Sequence, residues 1–469
     1  MKKKVLFLIY SPFFFLAAGC SQKEEWKPNI TENEVVDTPW VTPANPYKAP
    51  LYWSPYEYNI EDEQNTHIGY IPENVWSDNI NWVEKNLLPY GYDMVCIDGW
   101  GNMVYDPTTG YRKSHSSNWT HDYAWWSKEL KSRGMRLGIY DNPLWVNPAA
   151  ANAGIKVWGT QFNLSDLINW DESTSGFRWL QVDKPGAREY VDGFFKYYSQ
   201  MGVNYLRIDF LSWYETGYDQ WMGTVGAAHG KENYEKALRW MRESADKYKV
   251  FISLVMPNLY NDAEVENKYG HMIRVNEDTG DGGWWKFSDN ARGQHRQHWS
   301  QYATAFDGYI YWSRLSGRKK MILDGDFIRI NTFANNDEKK SVISLHLVAG
   351  GPVTISDQFN TIGNDLWLYQ NEEMLALNKD GFVGKPLSND PTNPQSQIWK
   401  GQMTNGDWII ALFNRENYSI NRSIDFSTLG ISSASVRDLW SHKDLGSMAS
   451  YSISLSAHAC IVLKLVKNN

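Results

Sequence analysis

Eight short apolar runs, each followed by a longer amphipathic stretch, recur between residues 51 and 357 and limit most strongly how this chain can fold. The runs are Leu51–Tyr58, Met94–Trp100, Arg136–Asn142, Tyr205–Trp213, Phe251–Pro257, His271–Asp278, Lys320–Phe327 and Pro352–Asp357. Helix-period patterns fill the gaps, as at Asn79–Leu88, Tyr123–Arg133, Ala187–Gln200, Tyr234–Tyr248 and Asp337–Val348. Strand-like runs that alternate with helical ones build βα units, and eight such units predict a (β/α)8 TIM barrel. The gaps after the third and sixth runs are long, so extra loops are expected over the active face.

From about Ser396 the pattern changes. Trp399, Trp408–Phe413, Arg422–Phe426, Ser435–Trp440, Tyr451–Leu455 and Ala459–Val466 read as short strands, and Asn405-Gly406 is a hairpin turn. The expected fold class is α/β, with the barrel over 47–385 and a small antiparallel β-sandwich domain over 386–469.

The N-terminus reads as an export segment. Met1-Lys-Lys-Lys4 precedes an apolar run from Val5 to Ala18, which is built like a signal peptide and is too short for an ordinary membrane helix. It ends Leu16-Ala-Ala-Gly-Cys20, which resembles the lipobox of bacterial lipoproteins. That resemblance implies removal of 1–19 and lipidation of Cys20. Residues 20–46 are then a polar tether, and the expected location is the bacterial cell envelope, with membrane contact only through the lipid. Cys96 and Cys460 lie far apart without metal-ligand spacing, so no zinc site and no essential disulfide is expected.

A net charge of −8 with no basic run speaks against a nucleic-acid partner. Aromatic residues make up 15% of the chain, with 24 Trp and 28 Tyr, more than a core alone calls for. Large cores bury such rings, and sugars also present C–H faces that stack on them.

Barrel enzymes carry their chemistry at the C-terminal strand ends. Here those ends supply Trp53 and Tyr56, Asp98 and Trp100, Tyr140 and Asp141, Arg207 and Asp209, Arg274 with Glu277 and Asp278, Asp324 and Asp326, and Asp357. Carboxylates accept hydrogen bonds from hydroxyls, Arg donates them, and rings stack, so the set suits a sugar. Phosphate would call for a Gly-rich loop with Lys, and a metal for paired His, and neither pattern is present. Two charges, Arg207 and Asp209, interrupt the apolar stretch Tyr205–Trp213, and a buried charge without a partner is expensive. Either Asp209 caps the next turn or pairs with Arg207, or it is a catalytic carboxylate.

The chain resembles the melibiase-type α-galactosidase glycoside hydrolases. Tyr205-Leu-Arg-Ile-Asp209 is similar to the family's Tyr-Leu-Lys-Tyr-Asp, and Ile273-Arg-Val-Asn-Glu-Asp278 to its Trp-Arg-x-x-x-Asp. Val95–Trp100, Gly138–Asp141, Leu323–Phe327, Met374–Asp380, Ala411–Arg415, Arg437–Trp440 and His458–Leu463 extend the likeness in order. The resemblance implies Asp209 as nucleophile and Asp278 as general acid/base of a retaining α-glycosidase, with an oligosaccharide or polysaccharide glycan as partner and no cofactor. Glu277 is the neighbouring rival for the proton-donor role. Trp53, Tyr56, Asp98, Trp100, Tyr140, Asp141, Arg207 and Arg274 are the expected substrate contacts, with Arg274 orienting a sugar hydroxyl. Asp98 and Asp141 could instead cap loops or pair with Arg.

Departures from the family fall where the sugar is read. Gly99 stands where galactose-specific members have a second Asp, Arg207 replaces Lys, and the fifth run ends Val255-Met-Pro257. A roomier pocket beside Gly99 is expected. So is a specificity that extends to α-glucoside, isomaltoside or β-L-arabinopyranoside as alternatives to α-galactoside. A non-catalytic glycan-binding lipoprotein is the reading from another class. Retention calls for carboxyl groups roughly 5–5.5 Å apart, and the acid is expected to have a raised pKa.

Overall fold

The computed structural model describes residues 45–468, apart from 100, 173–175, 260 and 294–298. Cys20, the expected export segment and most of the expected tether therefore lie outside the described residues, as does Trp100. Strands β1 (Leu51–Trp53), β2 (Met94–Ile97), β3 (Arg136–Tyr140), β4 (Tyr205–Ile208), β5 (Phe251–Leu254), β6 (Met272–Arg274), β7 (Ile322–Asp324) and β8 (Val353–Ile355) pair in parallel from β7 back to β1 and on to β8. The ring closes through a break in the seventh strand. Ile322–Asp324 pairs with β6, the chain kinks at Gly325 and Asp326, and Phe327–Ile328 pairs with β8. Asp326 makes this kink at φ 77, a left-handed conformation that Asp tolerates better than most residues.

All eight expected strands form, but each stops two to five residues before the end of its apolar run. After β4 the chain passes Asp209 and turns at Phe210 into a short helix, Leu211–Thr216. After β1 it turns into the helix Tyr56–Glu61. A continuous apolar run does not distinguish a strand from the buried helix that follows it. The long helices lie close to their sequence periods: Glu73–Asn86, Tyr123–Ser132, Ala187–Gln200, Gly230–Tyr248 and Asn336–Ala349.

Side chains alternate across each strand, so one set fills the barrel and the other meets the helices. Tyr52, Met94, Cys96, Tyr205, Phe251, Met272, Ile322 and Phe327 form the inner cluster. Each such side chain contributes about 1.5–3 kcal/mol by leaving water. Cys96 and Cys460 are free thiols.

The C-terminal domain has a six-stranded antiparallel sheet that opens with Lys385–Pro386, and Ile420–Asp425 pairs with Ser450–Leu455 as a second layer. Ile398, Ile410, Leu412, Phe426, Val436 and Leu463 are buried between them. The edge strand Lys443–Met448 has no apolar alternation and was not evident from sequence.

Candidate active site

The loop after β4 presents Asp209 in a cradle of neutral donors. The Phe210 amide donates to Oδ1 at 2.6 Å and the Tyr140 hydroxyl to Oδ2 at 2.9 Å. The Asn142 side-chain amide donates to the Asp209 carbonyl at 2.6 Å. Phe210 adopts φ 61, an uncommon conformation for a bulky residue, and its ring packs on Trp213 at 4.2 Å. Burial pushes the Asp209 carboxyl up to about 6; Arg207 pulls it down and the Asp278 charge adds to the rise. The two carboxylates therefore share one electrostatic environment.

Asp278, after β6, is held differently. Its side chain is 50% exposed, and Arg274 donates to Oδ1 at 2.6 Å from a guanidinium only 1% exposed. Loss of bulk water around the cleft floor raises its pKa, but Arg274 outweighs this through charge and hydrogen bond and leaves it below the usual carboxylate range. The expectation of a raised pKa is corrected: Arg274 holds the Asp278 carboxyl below its ordinary value. Arg274 is also committed to Asp326 at 2.5 Å and to the Asn276 carbonyl at 2.9 Å, so it positions Asp278 rather than reaching for a hydroxyl.

Asp326, which the sequence offers among the strand-end carboxylates but not among the expected substrate contacts, is the hub. It accepts from Arg274, from Arg207 at 3.3 Å, and from the Thr279 amide at 2.8 Å and hydroxyl at 3.1 Å. The kink in the seventh strand aims it inward between the two Arg. Arg207 reaches Asp98 at 3.0 Å and Asp324 at 3.3 Å, and lies over the Phe327 ring at 4.5 Å. Tyr56 stacks on the same Phe327 ring, with centroids 4.1 Å apart. Burial raises Asp98 to about 7 against the pull of Arg207. A buried charge must be paired to be tolerated, and this alternation of Asp and Arg runs from β2 to β6.

Tyr56, Asp98, Tyr140, Arg207, Asp209, Arg274 and Asp278 thus gather at one end of the barrel. Trp53 does not join them. It is fully buried against Trp76, and its indole N–H donates to the Asp357 carbonyl at 2.9 Å. Asp141 also turns away, accepting from Tyr198 of the helix Ala187–Gln200 at 2.5 Å and lying 3.9 Å from Arg112. Tyr140 and Asp141 are adjacent, so alternation sends them to opposite sides. Nor is there room beside Gly99. It adopts φ 88, and a Cβ there would meet the Asn59 side-chain nitrogen at 2.6 Å. Asn59 fills that space and donates to the Asp98 carbonyl at 3.2 Å.

Comparison with known proteins fits this geometry. A profile of the α-galactosidase C-terminal β-sandwich domain matches residues 393–465. Over 436 residues the chain is 41% identical to the isomalto-dextranase of Arthrobacter globiformis, a span of 89% of this chain and 67% of that protein. The chain belongs to the melibiase-type glycoside hydrolases. The structure of the Arthrobacter globiformis isomalto-dextranase complexed with panose superposes with a TM-score of 0.86 at 38% identity, over 92% of this chain and 76% of that one. A β-L-arabinopyranosidase from Geobacillus stearothermophilus in complex with arabinose shares the fold, at 18% identity and a TM-score of 0.70 over 90% of this chain and 98% of that one. As a glycoside hydrolase of this family, the chain binds a glycan.

Proposed function

We propose that this glycoside hydrolase cleaves a dextran-type α-glucan with retention, Asp209 acting as nucleophile and Asp278 as acid/base. The observation that carries the reading is the contrast in how the two carboxylates are held. Asp209 is fixed by neutral donors that leave its charge available to the anomeric carbon. Asp278 is half open and steered by one buried Arg. The similarity to an isomalto-dextranase over 89% of the chain supports the glucan, and Gly99, backed by Asn59, stands beside Asp98 where galactose-specific members carry a second Asp.

Two steps follow from the environments. A bound sugar displaces water from Asp278, which costs its charged form hydration and raises its pKa, so it arrives protonated at the leaving oxygen. Attack by Asp209 on the anomeric carbon forms a glycosyl ester as the glycosidic C–O bond breaks and the leaving oxygen takes the Asp278 proton. The negative charge that had opposed ionisation of Asp278 is then gone, Arg274 dominates, and Asp278 becomes the base that takes a proton from water. The Tyr140 and Phe210 donors hold Asp209 in line for both steps.

The test compares kcat/KM on dextran, an aryl α-galactoside and an aryl β-L-arabinopyranoside, with the anomer of the first product followed by NMR. Dextran is expected to be preferred and the α-anomer to form first. A preference for galactoside would overturn the substrate, and the β-anomer would overturn retention. We also place the enzyme at the cell envelope through lipidated Cys20. Loss of labelled fatty acid in Cys20→Ser is the expected outcome, and retained label would remove that placement.

A further inference from the structure

The loop after Asp209 does more than close the barrel mouth. After the short helix Leu211–Thr216, Tyr218–Asp219 and Gly223–Thr224 form an antiparallel hairpin. Its tip exposes Trp221 at 72% and Tyr218 at 57%, with Met222 beside them. Leaving large apolar rings in water is unfavourable unless something covers them in use.

The tip is held in place. Asp219 is buried, and its carboxylate accepts from the Trp221 amide at 2.7 Å, the Met222 amide at 2.9 Å and the Trp213 indole at 3.1 Å. Trp213 in turn packs on Phe210, the residue next to Asp209. A line of contacts therefore connects the backbone beside Asp209 to the hairpin that carries the exposed rings.

We propose that Trp221 and Tyr218 form a distal binding platform for the glucan chain, beyond the sugar units at the cleaved bond. This rests on the glucan-hydrolase reading above. The chemistry of the patch selects the occupant. Residues 216–230 contain no Lys or Arg, so the tip offers nothing to an anionic lipid surface. It offers two rings and the amide of Gln220, a set that suits a neutral polyol with C–H faces and hydroxyls. A long polymer gains from a second contact because the first already raises its local concentration.

The experiment uses the full chain with Trp221→Ala, Tyr218→Ala and, as a comparison, Trp367→Ala, whose exposed ring lies against Trp440 of the C-terminal domain. Native gels containing dextran or pullulan report binding as retardation of the band. Kinetics report the ratio of kcat/KM on long dextran to that on panose. Retardation is expected to be lost in Trp221→Ala, and the ratio to fall about fivefold, as a lost contact worth ~1 kcal/mol implies. Tyr218→Ala should show a smaller fall, and Trp367→Ala none. Wild-type retardation and ratio in Trp221→Ala would overturn the platform, as would equal losses on dextran and panose. It also falls if no polysaccharide retards the wild type, or if Trp221→Ala instead abolishes self-association or vesicle binding. If the wild type cleaves and binds pullulan but not dextran, the dextran reading fails, and the same comparison in pullulan decides the platform separately.

Discussion

The ends of β4 and β6 lie in one barrel mouth and each presents an aspartate, yet the two are built on opposite principles. At β4 the carboxylate is lodged among neutral donors and is driven up by burial. At β6 it is half open and is drawn down by a buried guanidinium. Sequence position does not determine what a strand-end carboxylate does; the partner that holds it does. In the proposed mechanism the neutral cradle preserves the charge of Asp209 for bond formation. The ionic strut keeps Asp278 aimed, and in the same proposal its proton affinity rises when a sugar is bound.

The contrast breaks most completely at Asp209. Asp209→Asn should lower kcat on every glycoside by at least about a thousandfold, ~4 kcal/mol of barrier. It should still fold. A carboxyl whose folded pKa is raised costs stability above that pKa, so removing its charge leaves Tm unchanged or higher at neutral pH. Thermal melting and kcat measured together check both parts.

Next in size is the strut. Asp326→Ala leaves Arg207 and Arg274 short of a buried partner, and breaking such a pair costs about 3–5 kcal/mol. Denaturant unfolding should show that loss, with activity falling further than in a distant variant of equal stability. Asp278→Ala should lower turnover of dextran about a hundredfold or more while largely sparing substrates with activated leaving groups. Glu277→Ala should not show this split, and if it does while Asp278→Ala does not, the proton donor is misassigned.

The smallest change sharpens the cradle. Tyr140→Phe removes one donor from the Asp209 carboxylate, worth about 1 kcal/mol. Losing a hydrogen bond to the charged form raises the pKa. Activity in kcat/KM should fall as pH drops through about 6 in the wild type, where Asp209 takes up its proton. In Tyr140→Phe that fall should begin at higher pH.

Much of the frame was legible in the chain. Eight apolar runs at βα spacing give eight strands because period and length decide them. Arg207 and Asp209 stood out as charges inside an apolar run, and Asp278 through the resemblance of Ile273–Asp278 to the family motif. What could not be read was direction and partnership. Trp53 sits one place from Tyr52, which fills the barrel, and Asp141 one place from Tyr140, which faces the site, and only the strand register shows that both turn outward. Asp326 belongs to the site because the chain kinks at a positive φ, and Asp-Gly-Asp was its only trace. Asn59 meets Gly99 across 40 positions, a contact no local pattern carries. The pKa of Asp278 was misjudged because its ion pair is with a residue whose own expected partner was the sugar.

The two roles meet in one measurement: the anomeric configuration of glycosyl azide formed by Asp209→Ala and by Asp278→Ala when azide is added to an activated α-glucoside. In Asp278→Ala, azide should intercept the glycosyl-enzyme and give the α-azide. In Asp209→Ala, azide should occupy the nucleophile's place and give the β-azide. The same anomer from both variants, or the reverse pairing, would contradict the assignment of nucleophile and acid/base to these two residues.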